Sequence, residues 1–283
     1  MKSQKLFNSL IFTLVFVSLT AVCLAQTKQT LKRTTYKTET IDFGVGGTVS
    51  IVGAPNGSIT VEGWQKNEVE ISAEIEVQAE NESDLAELAN VSTYILEKSF
   101  AHLRISSVGT YNKQYLKSAA KKFPKNLLKM PLKIDYHIKV PIFCNLEIDG
   151  GNGDLNLSNV EGAMRIKVLE SNAKLNLIGG TVLATFGKGN IDIVIPKSNR
   201  RGSKTDIQLA SGTMNVQLSP NLSAFIDGQV LRTGQIENFY DLLKPRDNRK
   251  FTDKSITAKA GGGGTQLSFI VGDGTLKFAE IEN

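Results

Sequence analysis

The sequence predicts an all-β chain of β-solenoid-like stacked rungs with one short helix, and three observations carry that expectation. A turn motif, x-Gly-x-h-x-h with h apolar, recurs seven times if one substitution is allowed. Strict apolar–polar alternation follows each turn, as a half-buried strand requires. Only one stretch makes a convincing helix. With 283 residues, 41% apolar and 22% charged, the chain can bury a sizeable core and is too apolar for wholesale disorder. Two His and four Met leave few soft ligands, so a histidine-rich metal site is not expected.

Taken in order, the first element is an address. Lys2 and Lys5 precede an apolar stretch from Leu6 to Leu19, and Cys23-Leu24-Ala25 offers a small-residue site before Gln26. Residues 1–25 therefore read as a secretory signal peptide, which sends the protein to the periplasm, cell envelope or extracellular space. An uncleaved anchor is disfavoured by Asn8, Ser9, Thr13 and Ser18 within a barely spanning stretch. Lipoprotein anchoring through Cys23 is disfavoured by Thr20 and Val22, where that signal wants Leu and a small residue. Cleavage after Ala25 removes two Lys and no acid, so the net charge falls from +5 to +3. It also leaves Cys144 as the one thiol, which excludes an intramolecular disulfide. In Ile142-Phe143-Cys144 a buried, inert thiol is expected, His137 being the only nearby base.

Residues 26–140 read as an N-terminal β-rich part. Strands are expected near 48–52, 58–62 and 68–77, the last turning Val69, Ile71, Ala73, Ile75 and Val77 inward. Asp84 and Glu87 resemble a capping box, after which Leu85, Leu88, Ala89, Ser92, Ile95 and Leu96 fall on one helical face. Strands follow at 102–106 and 133–140, with His102 and His137 on their polar sides as surface histidines. Between them lies a basic insertion, about 108–132. From Ile105 to Ile134 there is no Asp or Glu, while Lys113, Lys117, Lys121, Lys122, Lys125, Lys129 and Lys133 interleave with Tyr111, Tyr115, Phe123, Leu127, Leu128 and Met130. Lys113, Lys117 and Lys121 would share a helical face until Pro124. Such a stretch reads either as a solvated loop with its apolar residues packed inward or as a patch for an anionic surface.

Residues 141–283 form the glycine-punctuated part, expected to continue from the N-terminal part. The motif copies start at Asn56, Asn152, Asn172, Lys188, Ser211, Gly264 and Asp273. Gly or Asn supplies the backbone freedom that the turn needs, and alternation then sends Leu155, Leu157, Leu175, Leu177, Ile191 and Ile193 inward and Asn156, Asn176 and Asp192 outward. Leu155, Leu175, Ile191 and Met214 stand 20, 16 and 23 positions apart, intervals that suit one coil of a solenoid. The alternative is an antiparallel β-sandwich, which also shows short strands between turn signals. Recurrence of Asn-x-x-Leu-Asn-Leu at 152 and 172 favours stacked coils, which align like residues.

At these residues a resemblance enters. Gly-Ser-Ile-Thr-Val-Glu-Gly-Trp at 57–64, Gly-Asp-Leu-Asn-Leu at 153–157, Gly-Asn-Ile-Asp-Ile at 189–193, Gly-Gly-Gly-Gly-Thr-Gln-Leu at 261–267 and Gly-Asp-Gly-Thr-Leu-Lys-Phe at 272–278 resemble the bacterial putative-adhesin domain family over most of 36–280. The resemblance implies an exported β-solenoid-like domain of the envelope or surface, of unknown function. It brings no catalytic residues. The basic insertion departs from the simplest family pattern.

Motifs with a chemical look mostly fail on inspection. Gly150-Gly151-Asn152-Gly153-Asp154 lacks the acid that a calcium-binding nonapeptide needs, since Leu155 holds its place, and Gln266 does so after the 261–264 glycines. Gly187-Lys188-Gly189 has neither Ser/Thr after the Lys nor a helix behind it. Asp154 and Asp192 occupy different motif places, so no carboxylate pair for glycan cleavage is expected. No catalytic residue, metal or cofactor follows. The expected role is a non-enzymatic envelope or surface protein with an adhesin-like binding or scaffold function. The competing one is an envelope carbohydrate-active enzyme on a β-helix. The candidate binding residues are Lys113, Lys117, Lys121, Lys122, Lys125 and Lys129. Their expected partner is an anionic envelope glycan or lipid surface, or another protein, whereas nucleic acid is excluded by export.

Overall fold

The structure, a computed structural model, describes residues 30–120, 122–196 and 203–281. The leader and Lys121 lie outside the described residues. The first part supplies β1 (Leu31–Asp42), β2 (Thr48–Val52), β3 (Ile59–Trp64), β4 (Glu68–Ala79), α1 (Glu82–Val91), β5 (Thr93–Ser99), β6 (His102–Val108), α2 (Lys113–Ala119), a 3-10 turn (Lys125–Lys129) and β7 (Leu132–Pro141). Then come β8 (Asn145–Asn152), β9 (Leu155–Ser158), β10 (Gly162–Asn176), β11 (Gly180–Ile195), β12 (Lys204–Leu218), β13 (Ala224–Val230), β14 (Gly234–Asn238), β15 (Lys244–Pro245), β16 (Ser255–Ala260) and β17 (Thr265–Glu280). The chain is all-β, its strands joined in one mixed sheet.

Parallel pairing organises the middle of this sheet. β10, β11, β12 and β17 lie side by side along their whole lengths. Each has two arms, and in the neighbouring layer β8 and β9 supply one arm apiece to β10. β2 and β3 repeat the arrangement against β8 and β9, and β6 and β7 against β2 and β3. Leu146, Met164, Val182, Thr205 and Leu267 thus share an inward row on the first arm, and Leu157, Leu175, Ile193, Val216 and Phe278 one on the second. All ten are buried, and the nine apolar ones belong to one continuous core. The arms face each other across it, for Phe269 of the first arm meets Phe278 of the second edge to face, ring centroids 5.8 Å apart.

Antiparallel strands finish the ends. β4 pairs with β7, and β1 runs along β4 from Leu31 beside Ala79 to Asp42 beside Glu68. β5 lies on β6, and at the far end β16 lies on β13 and β15 on β16.

The arms meet at a corner where glycine is a packing requirement. Ser171, Gly189, Gly212 and Gly274 stand in register. Gly189 has φ +140°, and a Cβ on it would fall 1.8 Å from the Ser171 carbonyl oxygen. At Gly212, φ +135°, the same atom would fall 1.9 Å from the Gly189 oxygen. The recurrent motif glycine therefore reflects backbone stacked on backbone, as well as the freedom of a turn.

Several expectations need correction. The motif copy at Asn172 is displaced by two residues: Leu175 stands beside Leu157 and Ala173 beside Leu155, because Ser171 holds the glycine place. Asn172 accordingly meets Asp154, eighteen residues before it. The copy at Gly264 opens the first arm of β17, with Leu267 beside Thr205, and is no corner. α1 is capped by Asn81, whose side chain accepts from Asp84 N, and it ends at Val91, while Ile95 and Leu96 belong to β5. The basic insertion forms a short helix, α2, where Lys113 and Lys117 share a face, so the described residues hold two short helices rather than one. The expected alternation holds: Leu155, Leu157, Leu175, Leu177, Ile191 and Ile193 are buried, Asp192 is exposed, and Asn156 and Asn176 are half-buried.

Candidate functional site

Alternation gives the second arm an outward face, and the parallel register turns its residues into rows. One row reads His137, Thr60, Asn156, Lys174, Asp192, Asn215, Lys277 and Glu237 across eight strands. Neighbours in it stand about 4.8 Å apart, the strand spacing. Asn215 donates to Asp192 at 2.8 Å, and Asn156 Nδ2 lies 3.4 Å from Thr60 Oγ1. Beside it runs an amide ladder in which Asn190 donates to Asn172 at 3.3 Å. Between Asn156 and Glu280 the face holds an open groove of about 560 Å³, lined by Lys174, Asn176, Asp192, Asn215 and Lys277 among others. The Oδ1 of Asn176 is covered there and has no hydrogen-bond donor among the described residues. Amides, two ammonium groups and carboxylates in one strip can satisfy many hydroxyls at once.

The first arm's outward face holds a second polar group. Ser50 Oγ donates to Glu147 Oε2 at 2.6 Å and lies 2.8 Å from His102 Nε2. Arg104, Asp149, Arg165 and Lys167 surround it in a depression of about 210 Å³. Ser50 is only 3% exposed, so its hydroxyl bridges the two side chains and is badly placed to attack a polymer. His102 is thus half-buried and hydrogen-bonded, where a plain surface histidine was expected. His137 is exposed, 3.8 Å from Glu62. Sequence reasoning missed this group because its members lie 52 and 97 residues apart in the chain and meet only through the register of β2 with β6 and β8.

Cys144 is buried, and burial pushes its thiol up to about 12, which keeps it protonated and inert. Among the described residues no three His, Cys, Asp or Glu converge as metal ligands, and no helix is long and apolar enough to cross a membrane.

The structure places Lys113 and Lys117 one turn apart on α2, Lys125 and Lys129 at the two ends of the 3-10 turn, and Lys122 between them, all exposed. Leu116 and Leu127 are buried beneath them, and Phe123 and Met130 pack against the core. Among the described residues none of these five lysines forms an ion pair, unlike Lys133, which meets Asp135 at 2.6 Å.

No family model matches the chain, and no curated protein matches it. Solved structures do. The chain is similar to that of a "putative cell adhesion protein" from Clostridium sporogenes at 12% identity and TM-score 0.49, covering 89% of this chain and 100% of the other. A "putative adhesin" from Parabacteroides merdae is similar at 10% identity and TM-score 0.34, over 87% and 97%. A "Putative lipid binding protein" from Parabacteroides distasonis is similar at 11% identity and TM-score 0.28, again over 87% and 97%. Proteins named "putative adhesin" are thus among those the chain is similar to in structure.

Proposed function

We propose that this is an exported, non-enzymatic cell-envelope or surface protein, a β-solenoid that binds polysaccharide along the outward face of its second arms. The carrying observation is the unbroken row from His137 to Glu237, which repeats hydrogen-bonding side chains at strand spacing beside an open groove. The whole-length parallel registers of β10, β11, β12 and β17 support the solenoid reading over the sandwich. An extended polymer with repeating hydroxyls suits a strip of this kind better than a small molecule, which binds in enclosed apolar pockets.

The test is retention of the mature protein on a panel of immobilised polysaccharides, with Lys174→Ala/Asp192→Ala/Asn215→Ala as the variant. Loss of retention in a folded variant, with no soluble sugar released by either protein, supports the reading. Equal retention overturns it. A second reading, an envelope carbohydrate-active enzyme, is favoured by the Glu147 cluster, where a carboxylate sits among Arg104, Arg165 and His102. Soluble products that vanish in Glu147→Gln while retention persists would establish that reading instead.

A further inference from the structure

We infer that the lysine-rich segment between β6 and β7 docks the protein onto an anionic phospholipid bilayer. None of the residues lining the second-arm groove belongs to this segment, so the inference stands apart from the polysaccharide reading. From Ile105 to Ile134 the chain carries no Asp or Glu, so the segment has no acid of its own to neutralise its cations. Buried Leu116 and Leu127, with Phe123 and Met130 against the core, fasten the segment down. That anchoring holds Lys113, Lys117, Lys122, Lys125 and Lys129 outward as a fixed cationic surface, with their ion-pairing capacity unused among the described residues.

The exposed apolar groups decide between lipid and acidic polysaccharide. Tyr111 and Leu128 are each 40% exposed among these lysines. A bilayer offers phosphate oxygens to the ammonium groups and an apolar layer just beneath for a tyrosine ring and a leucine. An acidic polysaccharide offers carboxylates, hydroxyls and sugar C–H faces that suit a tyrosine ring, but no apolar layer to receive Leu128. Because Leu116 is already committed to the core, α2 docks by charge and does not insert an apolar face.

The experiment is co-sedimentation of the mature protein with phosphatidylcholine vesicles containing or lacking phosphatidylglycerol. It is run from low to physiological salt, over which the screening length shrinks from about 30 Å to about 8 Å. Binding is expected only to the anionic vesicles, and it fades as salt rises. Lys117→Gln/Lys122→Gln/Lys125→Gln lowers the partition coefficient roughly 100-fold at low salt, at about 1 kcal/mol per lysine. Lys188→Gln/Lys244→Gln/Lys250→Gln removes the same charge elsewhere and leaves binding unchanged. Leu128→Ser, an exposed site that spares the fold, weakens binding without altering its salt dependence. Equal losses in the two triple variants would reduce the effect to net charge and overturn the site. Retention on an acidic polysaccharide with no binding to anionic vesicles would overturn the lipid assignment. Failure here leaves retention through Lys174, Asp192 and Asn215 untouched, so the two readings fall separately.

Discussion

Single residues settle whether neighbouring backbones can approach at the corner. The side chain absent from Gly189 leaves the space that the Ser171 carbonyl fills, and the +140° torsion lies where L-residues are strained. Gly189→Ala is expected to lower stability by about 3 kcal/mol or more, from strain and a collision with backbone that cannot rotate aside. Gly44 is the control: a Cβ there meets nothing within 4 Å and its φ is not positive. Gly44→Ala should stay within about 0.5 kcal/mol of the parent. Urea midpoints of the two variants make the comparison, and a matching loss in both would contradict the corner argument.

At the scale of elements, one carboxylate reinforces the backbone pairing of β14 with β17. Asp273 takes hydrogen bonds from the guanidinium of Arg232 and from Thr233 N and Oγ1. Arg232 foremost, then Thr233, hold the Asp273 carboxyl down to about 2. Its folded value lies below the unfolded one, near 3.9, so the tie is complete above about pH 4 and is lost as pH falls toward 2. Asp273→Asn should therefore flatten the acid limb of the melting-temperature profile between about pH 4 and pH 2 and loosen amide exchange at Gln235 to Glu237. An acid limb identical to the parent's would show that the tie carries no stability. The interior of each element was legible in the sequence, because alternation in β4 or β10 is a local property of consecutive side chains. Boundaries and registers were less so. Ile95 and Leu96 continue the period of α1, but pairing of Ile95 with Ser106 and Leu96 with Ile105 takes them into β5. The two-residue slip at Asn172 arose because the corner glycine is replaced by Ser171, leaving only a misleading Asn to align. The Glu147 cluster had no local signature, whereas the lysine segment was visible as composition, and the structure added which of its side chains face the core.

For the whole molecule, neighbouring layers interlock by register alone, which makes one layer removable. Met164 pairs with Val182 and Ala173 with Ile191, a constant offset along β10 and β11. Deleting residues 163–180 joins Gly162 to Thr181 and lets β8 and β9 meet β11 with Leu146 beside Val182 and Leu155 beside Ile191. The shortened protein is expected to fold with one cooperative transition and a parallel-strand spectrum. Deleting 163–179 instead shifts alternation by one residue, turns the inward set outward, and should yield no cooperative unfolding in circular dichroism. Interchangeable layers carry a hazard, since a stack that accepts its own next layer could accept one from another molecule and grow into a fibre. The strands at the first end oppose this. β4 runs against β7 and β1 against β4, so the outer edge runs once more in the direction of the parallel strands, and it is charge that guards it. Lys32, Arg33, Lys37 and Glu39 line that edge strand with charge, and Lys32 and Arg33 are held by Glu76 and Glu82. The same pair of strands that completes the core thus acts as a stop on polymerisation, and it lets a protein made of self-compatible layers remain a particle of defined length.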